Sequence, residues 1–121
     1  MPTLTGFGSL KAIKTERITP KITRRLLAGA KGMVVQWRVK AGAHALAHKH
    51  PHEQIVWMVK GRMKFRIGKK IRLMRAGDVA VIPGGVEHEA WWPSDCEVID
   101  FFAPPRRDFL TGKPPAYMKK G

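Results

Sequence analysis

Residues 42–54 read GAHALAHKHPHEQ, and they contain four of the five histidines of the chain. In an extended strand, residues two apart point to the same side, so His48 and His50 are predicted to share a face with Gln54. The fifth histidine, His88, follows a Pro-Gly-Gly corner much later in the chain. Two imidazoles on one strand and a third from a distant strand can converge on one ion, an arrangement that suits Zn, Cu, Fe and Ni.

The segments around this histidine cluster have the pattern of short strands. Residues 62–67 alternate strictly, with Met63, Phe65 and Ile67 on one face and three cations on the other. Residues 19–30 are the one stretch where a short helical turn is expected. Short strands with turn residues between them predict an all-β sandwich or barrel. Further strands are predicted for residues 33–40, 55–59, 71–73, 79–82, 89–92 and 96–102, and a hairpin turn is predicted at Lys60-Gly61.

The length and composition favour a single domain that folds without disulfides. A chain of 121 residues is long enough for one hydrophobic core. The lone Cys96 cannot form an internal bridge, which indicates a reducing compartment. The longest apolar run, residues 55–59, is far shorter than the roughly 20 residues of a membrane span. Because the first ten residues also lack the pattern of a secretory signal, a cytoplasmic protein with no membrane partner is expected.

The charge is strongly positive and unevenly distributed. The chain has 23 Lys and Arg against 9 Asp and Glu, a formal net charge of +14. Residues 61–75 contain seven basic and no acidic side chains, whereas residues 76–100 contain six acids and no Lys or Arg. This balance favours anionic partners, and its simpler interpretation is a solvated outer face of a sheet. Nucleic acid is not expected as a partner, because the predicted strands offer no recognition helix.

The first histidine segment resembles the first motif of the cupin superfamily. That motif is Gly, five residues, His-x-His, three or four residues, Glu, six residues and Gly. Here the corresponding residues are Gly42, His48, His50, Gln54 and Gly61, with every spacing kept. Glutamine therefore stands where the family has glutamate.

The segment around the fifth histidine resembles the second cupin motif. The family pattern is Gly, five residues, Pro-x-Gly, two residues, His, three residues and Asn. The matching residues are Gly77, Pro83, Gly85, His88 and Trp92, the last in the place of Asn. With the strands between them, the two motifs extend the resemblance over about residues 30–102.

This resemblance implies a fold and a division of the chain. The fold is an all-β cupin jelly-roll barrel, also called a double-stranded β-helix. The N-terminal arm or edge strands are expected over residues 1–30 and the barrel over residues 31–103. Residues 104–121 are expected to form an irregular extension that packs on the barrel. Small cupins are usually dimers, so a homodimer is also implied.

The resemblance also implies a divalent transition metal, which is Ni, Zn, Fe or Mn, with its identity left open. His52 and Glu53 compete with Gln54 as ligands on chemistry alone, but the spacing favours Gln54. His52 is expected near the cavity, and His44 and Glu87 are expected at the surface. The implied metal ligands are His48, His50, Gln54 and His88.

Replacing the family's glutamate with glutamine changes the expected chemistry. Three neutral imidazoles and an amide oxygen leave the full positive charge on the ion, whereas a carboxylate offsets one unit of it. A neutral ligand set makes a stronger Lewis acid for polarising a carbonyl or alkoxide. This favours Lewis-acid chemistry over oxygen activation, which many iron enzymes carry out with two histidines and a carboxylate. A dioxygenase of a small molecule and a non-catalytic metabolite-binding cupin remain alternatives.

The carboxy-terminal part contains three further candidate residues. Asp100 interrupts an apolar strand, and a carboxylate there costs free energy unless it is paired or hydrated. It is either functional or a structural acid bonded to Arg38 or a backbone amide. Phe102 shares its parity, and Arg106 follows a rigid Pro-Pro step that could aim a guanidinium at a substrate carboxylate.

These residues carry a narrower resemblance. His-Pro-His-Glu-Gln at residues 50–54 and Asp-x-Phe-x-Pro-x-Arg at residues 100–106 are similar to the small single-domain cupins of pectin degradation. Those proteins are thought to convert cyclic unsaturated uronates into linear keto sugars. The resemblance implies that Asp100 transfers a proton, that Phe102 packs against the substrate and that Arg106 binds its carboxylate. The expected protein is a metal-dependent, isomerase-like or lyase-like enzyme for a small, anionic, sugar-like molecule.

Overall fold

The computed structural model of the chain describes residues 3–112 and 115–118. These residues form ten β-strands, one short 3-10 turn at Leu10–Ala12 and one single-turn α-helix. No helix within these ranges has the length and apolar character needed to cross a bilayer. The elements are β1 (Glu16–Thr19), β2 (Ile22–Ala28), β3 (Met33–Val39), β4 (His44–His48), β5 (Glu53–Lys60), β6 (Arg62–Ile67), β7 (Lys70–Arg75), β8 (Val79–Ile82), β9 (His88–Trp91), β10 (Cys96–Ala103) and α1 (Arg107–Leu110).

The strands form two antiparallel sheets. The larger sheet has six strands in the order β1-β2-β3-β10-β5-β8, and the smaller has four in the order β4-β9-β6-β7. The predicted all-β fold is therefore confirmed. The strands β2, β3, β5 and β10 bury every second side chain, and β6 buries Met63 and Phe65 as its alternating pattern predicts. The apolar inner faces of the two sheets meet in one core.

The most deeply buried apolar side chains include those on the inner faces of β3, β10 and β5, which are neighbouring strands of the larger sheet. Val35, Val56, Met58 and Val98 from these strands are at most 3% exposed. Because neighbouring strands are antiparallel and in register, Asp100 lies opposite Val35 on one side and Val56 on the other. The larger sheet therefore carries a carboxyl group into the middle of an apolar layer.

The helical turn expected within residues 19–30 is wrong, because this stretch forms β2. Ile22, Leu26 and Ala28 are buried at alternate positions, which is the period of a strand. Arg24 occupies the same inner face, with its guanidinium 4.5 Å from the Phe109 ring. Because the inward-facing Arg24 is charged, the apolar and polar residues of this stretch do not alternate in the sequence, and the period of a strand is not visible there.

The turn predicted at Lys60-Gly61 joins β5 to β6, and the glycine is required there. Gly61 has φ of +88°, a backbone conformation that side chains with a Cβ rarely adopt. A Cβ at this position would lie 2.2 Å from the carbonyl oxygen of Asp95. The turn therefore needs glycine both for its backbone angle and for the close approach of the β9–β10 connection.

Candidate metal centre

Two of the motif histidines face each other across neighbouring strands. His48 ends β4 and His88 begins β9, and the two residues are register partners in the smaller sheet. Their ring centroids are 4.3 Å apart. The strand pairing itself therefore brings together residues that lie 40 positions apart in the sequence.

His50 reaches the same place by a different route. It lies beyond the end of β4, so the strand parity used to group it with His48 does not apply. The amide of Gly85 donates to the His50 carbonyl oxygen over 2.8 Å and fixes the connecting loop. A Cβ on Gly84 would lie 2.2 Å from the Pro51 carbonyl oxygen, so this loop also needs a glycine opposite it. The Pro-Gly-Gly corner thus supports the loop that carries His50.

The three imidazole rings are oriented by backbone carbonyl groups. The Nδ1 atoms of His48, His50 and His88 lie 2.6, 3.0 and 2.9 Å from the carbonyl oxygens of Leu46, His52 and Val86. A contact of this kind places the proton on Nδ1 and leaves the Nε2 lone pair free to bind a metal. Ligand atoms of the three rings all lie within 4.8 Å of one another.

The local environment keeps these rings neutral. Burial lowers the pKa of His48 to about 3 and that of His88 to about 4, and it also lowers the pKa of His50. The positive charge of Arg106 acts in the same direction on the pKa of all three rings. His88 Nε2 is buried and has no hydrogen-bond partner among the described residues. A buried, unprotonated and unpartnered nitrogen fits a metal ligand, so this site suits a divalent transition metal.

Gln54 joins the group from the opposite sheet. It is 7% exposed, and its Oε1 lies 3.0 Å from His50 Nε2. Since the proton of His50 is on Nδ1, two lone-pair-bearing atoms face each other across this gap. Two ligands that bind one cation at right angles, each at about 2.1 Å, are about 3 Å apart. The spacing of the two atoms thus suits a shared cation.

The other acid and histidine side chains near the motifs lie outside this group. His52 packs beside His50 with ring centroids 5.4 Å apart, and Glu53 is exposed. His44 contacts Glu89 over 2.6 Å, and its ring stacks on that of Trp91. Glu87 is exposed and pairs with Arg66.

Asp100 projects into the same cavity from the larger sheet. It is 8% exposed, and its Oδ2 accepts a hydrogen bond of 3.0 Å from the indole of Trp37 rather than from Arg38, which is exposed. Burial raises its pKa to about 7, against the opposing effects of the Gln54 amide, the Trp37 indole and the Arg106 charge. Its Oδ1 is buried without a hydrogen-bond partner in residues 3–112 and 115–118. A carboxyl group with a pKa near 7 can both accept and donate a proton at neutral pH.

Phe102 and Arg106 lie at the edge of the site. The Phe102 ring lies 5.6 Å from the His50 ring, and the Arg106 guanidinium carbon lies 5.2 Å from the Phe102 ring centroid. Arg106 is 5% exposed and donates to Asp108 from Nε and Nη2, over 3.2 and 2.8 Å. Its third contact is a hydrogen bond of 2.9 Å from Nη1 to the Tyr117 hydroxyl.

The cavity lined by His48, Gln54, His88, Asp100 and Phe102 is small, with a volume of about 40 Å³. The lining residues Trp37 and Tyr117, which hydrogen-bond to Asp100 and Arg106, are not among the site residues predicted from the sequence. The pairing of β3 with β10 shows why Trp37 reaches Asp100, but that pairing is not visible in the spacing of residues 33–39. Tyr117 reaches the cavity because the chain after α1 returns to the barrel, and its one sequence signal is that it is the only tyrosine.

The class of protein is defined by a small antiparallel barrel in which three histidines converge. His48 and His88 come from two separate sequence motifs, and the pairing of β4 with β9 brings them together. Residues 35–102 match the family model described as a cupin domain, and the chain belongs to the cupin family. It carries the three-histidine metal group expected of a metal-binding member, and it resembles the small single-domain cupins of pectin degradation.

Three relatives place the chain more closely. An RmlC-like cupin from Shewanella frigidimarina NCIMB 400 is 29% identical, with a TM-score of 0.84, over 90% of this chain and 99% of that one. The structure of KdgF from Halomonas sp. is also 29% identical, with a TM-score of 0.81, over 87% of this chain and all of that chain. The curated protein 1-methylthio-D-xylulose 5-phosphate methylsulfurylase of Rhodospirillum rubrum is 30% identical over 91 residues, which are 71% of this chain. The match spans 58% of the length of that curated relative.

Proposed function

We propose that this cupin is a metal-dependent enzyme that opens or isomerises the ring of a small uronate-like sugar acid. The observation that carries the proposal is that Asp100 lines the same cavity as His48 and His88. A carboxyl group with a pKa near 7 is suited to proton transfer, and it would face a substrate held at the metal.

Each group of this chain has a distinct part in the proposed reaction. His48, His50 and His88, with Gln54, would hold the divalent metal. When bound, the metal supplies Lewis-acid polarisation of a substrate ring or carbonyl oxygen. Asp100 accepts a proton from the substrate and returns it, and the Trp37 indole fixes the carboxyl in position.

Phe102 and Arg106 would recognise the substrate. The Phe102 side chain offers an apolar wall beside His50. The Arg106 guanidinium offers Nη1 as a charged donor to a substrate carboxylate, because Asp108 holds Nε and Nη2. An anionic sugar also agrees with the net charge of +14 and with the curated relative, whose name contains a phosphorylated ketose. The shared segments at residues 50–54 and 100–106 support a uronate in particular.

The test of this function is turnover of an unsaturated uronate. Untagged protein loaded with Ni, Zn, Fe or Mn is incubated with unsaturated galacturonate, and loss of the ring-alkene absorbance is followed. We expect a metal-dependent rate that Asp100→Asn reduces at least 100-fold, the usual contribution of acid–base catalysis. The exposed acid Glu53 provides a matched control, because Glu53→Gln should retain the wild-type rate. A wild-type rate equal to that of buffer with every metal would refute the proposal.

The ligand set has its own test. We expect about one metal ion per chain in the wild type and none after dialysis of the His48→Ala variant, because removal of one of three imidazoles opens the group. Gln54→Ala should weaken binding without abolishing it. His44→Ala is the control, since His44 contacts Glu89 away from the cavity. Equal metal content in all four proteins would exclude this ligand set.

We also propose that the active form is a homodimer that pairs through the outer face of the larger sheet. Ile55, Trp57, Val79, Val81 and Phe101 are 37–66% exposed there. They are cross-strand neighbours: Ile55 is the register partner of Phe101 on one side and of Val81 on the other. Trp57 is the register partner of Val79. A contiguous apolar patch on a highly charged protein is typical of a contact surface. Trp57→Lys should convert the dimer to a monomer in sedimentation, and a wild-type protein that sediments as a monomer would overturn this proposal.

A further inference from the structure

The cavity beside the histidine group is small, and the chain's own carboxy-terminal segment forms part of its wall. Its volume is about 40 Å³. Sites that bind small organic molecules are usually about 300–1,000 Å³. Tyr117 and Met118 are among the residues that line it, and we call residues Pro115–Met118 the strap.

The strap is attached to the open edge of the smaller sheet. β4 is an edge strand, and the Leu46 amide donates to the Tyr117 carbonyl oxygen over 2.8 Å. Ala45 and Met118 form an antiparallel bridge beside it. The Tyr117 ring lies parallel to the His48 ring, with centroids 3.5 Å apart and planes at 12°. The strap therefore packs directly against a candidate metal ligand.

Arg106 shows which ligand group the strap replaces. Asp108 occupies its Nε and Nη2 through a charged pair, while Nη1 donates to the neutral Tyr117 hydroxyl over 2.9 Å. Burial raises the pKa of that hydroxyl to about 12, so it is uncharged at neutral pH. A carboxylate brings a full negative charge to the guanidinium, whereas the phenol is a neutral acceptor, so the carboxylate is the stronger partner in a buried site. A carboxylate that reached Nη1 could thus displace the phenol.

We propose that Tyr117 occupies the substrate position, with its ring over His48 and its hydroxyl on Arg106 Nη1 where a substrate carboxylate would bind. The strap must detach before the substrate binds, so Tyr117 selects for molecules that carry a carboxylate able to replace it. The identity of the displacing ligand rests on the proposed function, whereas the covering of the metal group by the strap does not.

Metal exchange tests the covering role without any substrate. The rates at which full-length protein takes up Zn²⁺ and loses it to a chelator are measured for the wild type and Tyr117→Ala. Release of a cover speeds both rates by the same factor, at least tenfold, and leaves the dissociation constant unchanged. Tyr117→Phe keeps the ring but loses the acceptor of Arg106, so both rates should rise by a smaller factor. The exposed aromatic Phe7 supplies the control, because Phe7→Ala should change neither rate.

Two results of the exchange measurement would overturn the covering role. Unchanged rates in Tyr117→Ala would mean that the strap does not limit access to the histidines. Faster release alone, with a proportionally weaker affinity, would mean that Tyr117 supports His48 structurally and is not a cover.

The displacement role is tested by NMR of methionine methyl groups labelled with ¹³C in the Zn²⁺-loaded protein. Met118 lies on the strap and Met63 lines the cavity, and each is assigned by its substitution with leucine. Galacturonate should move the Met118 signal towards its solvent-exposed position, and the neutral sugar galactose should not. If galacturonate shifts Met63 but not Met118, displacement of the strap is refuted. If it shifts neither, the uronate proposal fails, and the exchange rates still decide whether the strap covers the metal group.

Discussion

Replacement of Asp100 with asparagine should increase the stability of the metal-free protein at the same time as it removes activity. The Asp100 side chain is buried opposite Val35 and Val56, and burial raises its pKa from 3.8 to about 7. A carboxyl group whose pKa is raised by folding destabilises the folded state above its unfolded pKa. The penalty is absent below about pH 3.8, grows as the pH rises and is complete above about pH 7.

The size of the effect follows from these two pKa values. At about 1.4 kcal/mol for each tenfold change in an ionisation constant, the interval from 3.8 to about 7 corresponds to about 4 kcal/mol. The asparagine carbonyl oxygen can still accept from Trp37, but its amide adds buried donors that cost about 1–3 kcal/mol if unpaired. That cost does not depend on pH. Between pH 5 and pH 8, the stability of Asp100→Asn relative to wild type should therefore rise by about 2–3 kcal/mol.

The assay is urea unfolding of metal-free protein at several pH values from 5 to 8, with wild type and variant compared at each pH. Glu53→Gln provides the acid-to-amide control, since Glu53 is exposed on β5, and its difference from wild type should stay constant. A constant difference for Asp100→Asn would show that the carboxyl is not perturbed by burial. A difference that falls with rising pH would show that Asp100 is a stabilising anion, and the proton-transfer role would then lose its basis.

Two further predictions concern a turn and the histidine group. Gly61→Ala should destabilise the protein by at least about 3 kcal/mol in urea unfolding, because it combines a positive φ with a Cβ placed 2.2 Å from a backbone oxygen. Gly68→Ala should cost only about 1 kcal/mol, since Gly68 has positive φ but open space around it. In the metal-free Asp100→Asn protein, stability should fall by about 2–4 kcal/mol from pH 7 to pH 5. The unfolded chain takes up protons near pH 6.5, whereas the folded pKa values of His48 and His88 are about 3 and 4. A stability that stays constant or rises over this range would contradict the neutral state of the two rings.

The sequence predicts those strands whose residues follow a local pattern, such as an alternation of apolar and polar residues without exception. Residues 62–67 alternate apolar and charged side chains, and β6 has the same bounds as predicted. The helical turn predicted within residues 19–30 is wrong, because a buried arginine interrupts the apolar alternation of the strand that forms there. The cation pairs with Glu16 over 3.2 Å and packs against Phe109, a residue 85 positions later, and no local rule contains the second contact.

The candidate site divides in a similar way. Motif spacing predicts which histidines are candidates, and strand pairing does bring His48 and His88 together. Strand parity does not explain the position of His50, because β4 ends at His48. His50 lies on a loop that the hydrogen bond from the Gly85 amide fixes. Tyr117 could not be predicted, because its contact with Arg106 depends on the return of the chain after α1. Tertiary contacts of residues outside the strands produce no periodic pattern in the sequence.

The ionisable groups of the cavity are perturbed by one common cause, and this supports a functional site over a structural ion pair. An ion pair between an acid and a histidine lowers the pKa of the acid and raises that of the histidine. The opposite holds here, because burial raises the pKa of Asp100 and lowers the pKa of His48 and His88. Burial thus disfavours the charged form of each group, at a cost to folding wherever the unfolded group is charged. Neutral imidazoles are the form that binds a metal, and a carboxyl with a pKa near 7 is the form that exchanges protons. A barrel that needed these positions only for packing would be more stable with apolar residues there, so the cost is best explained by the chemistry of the site.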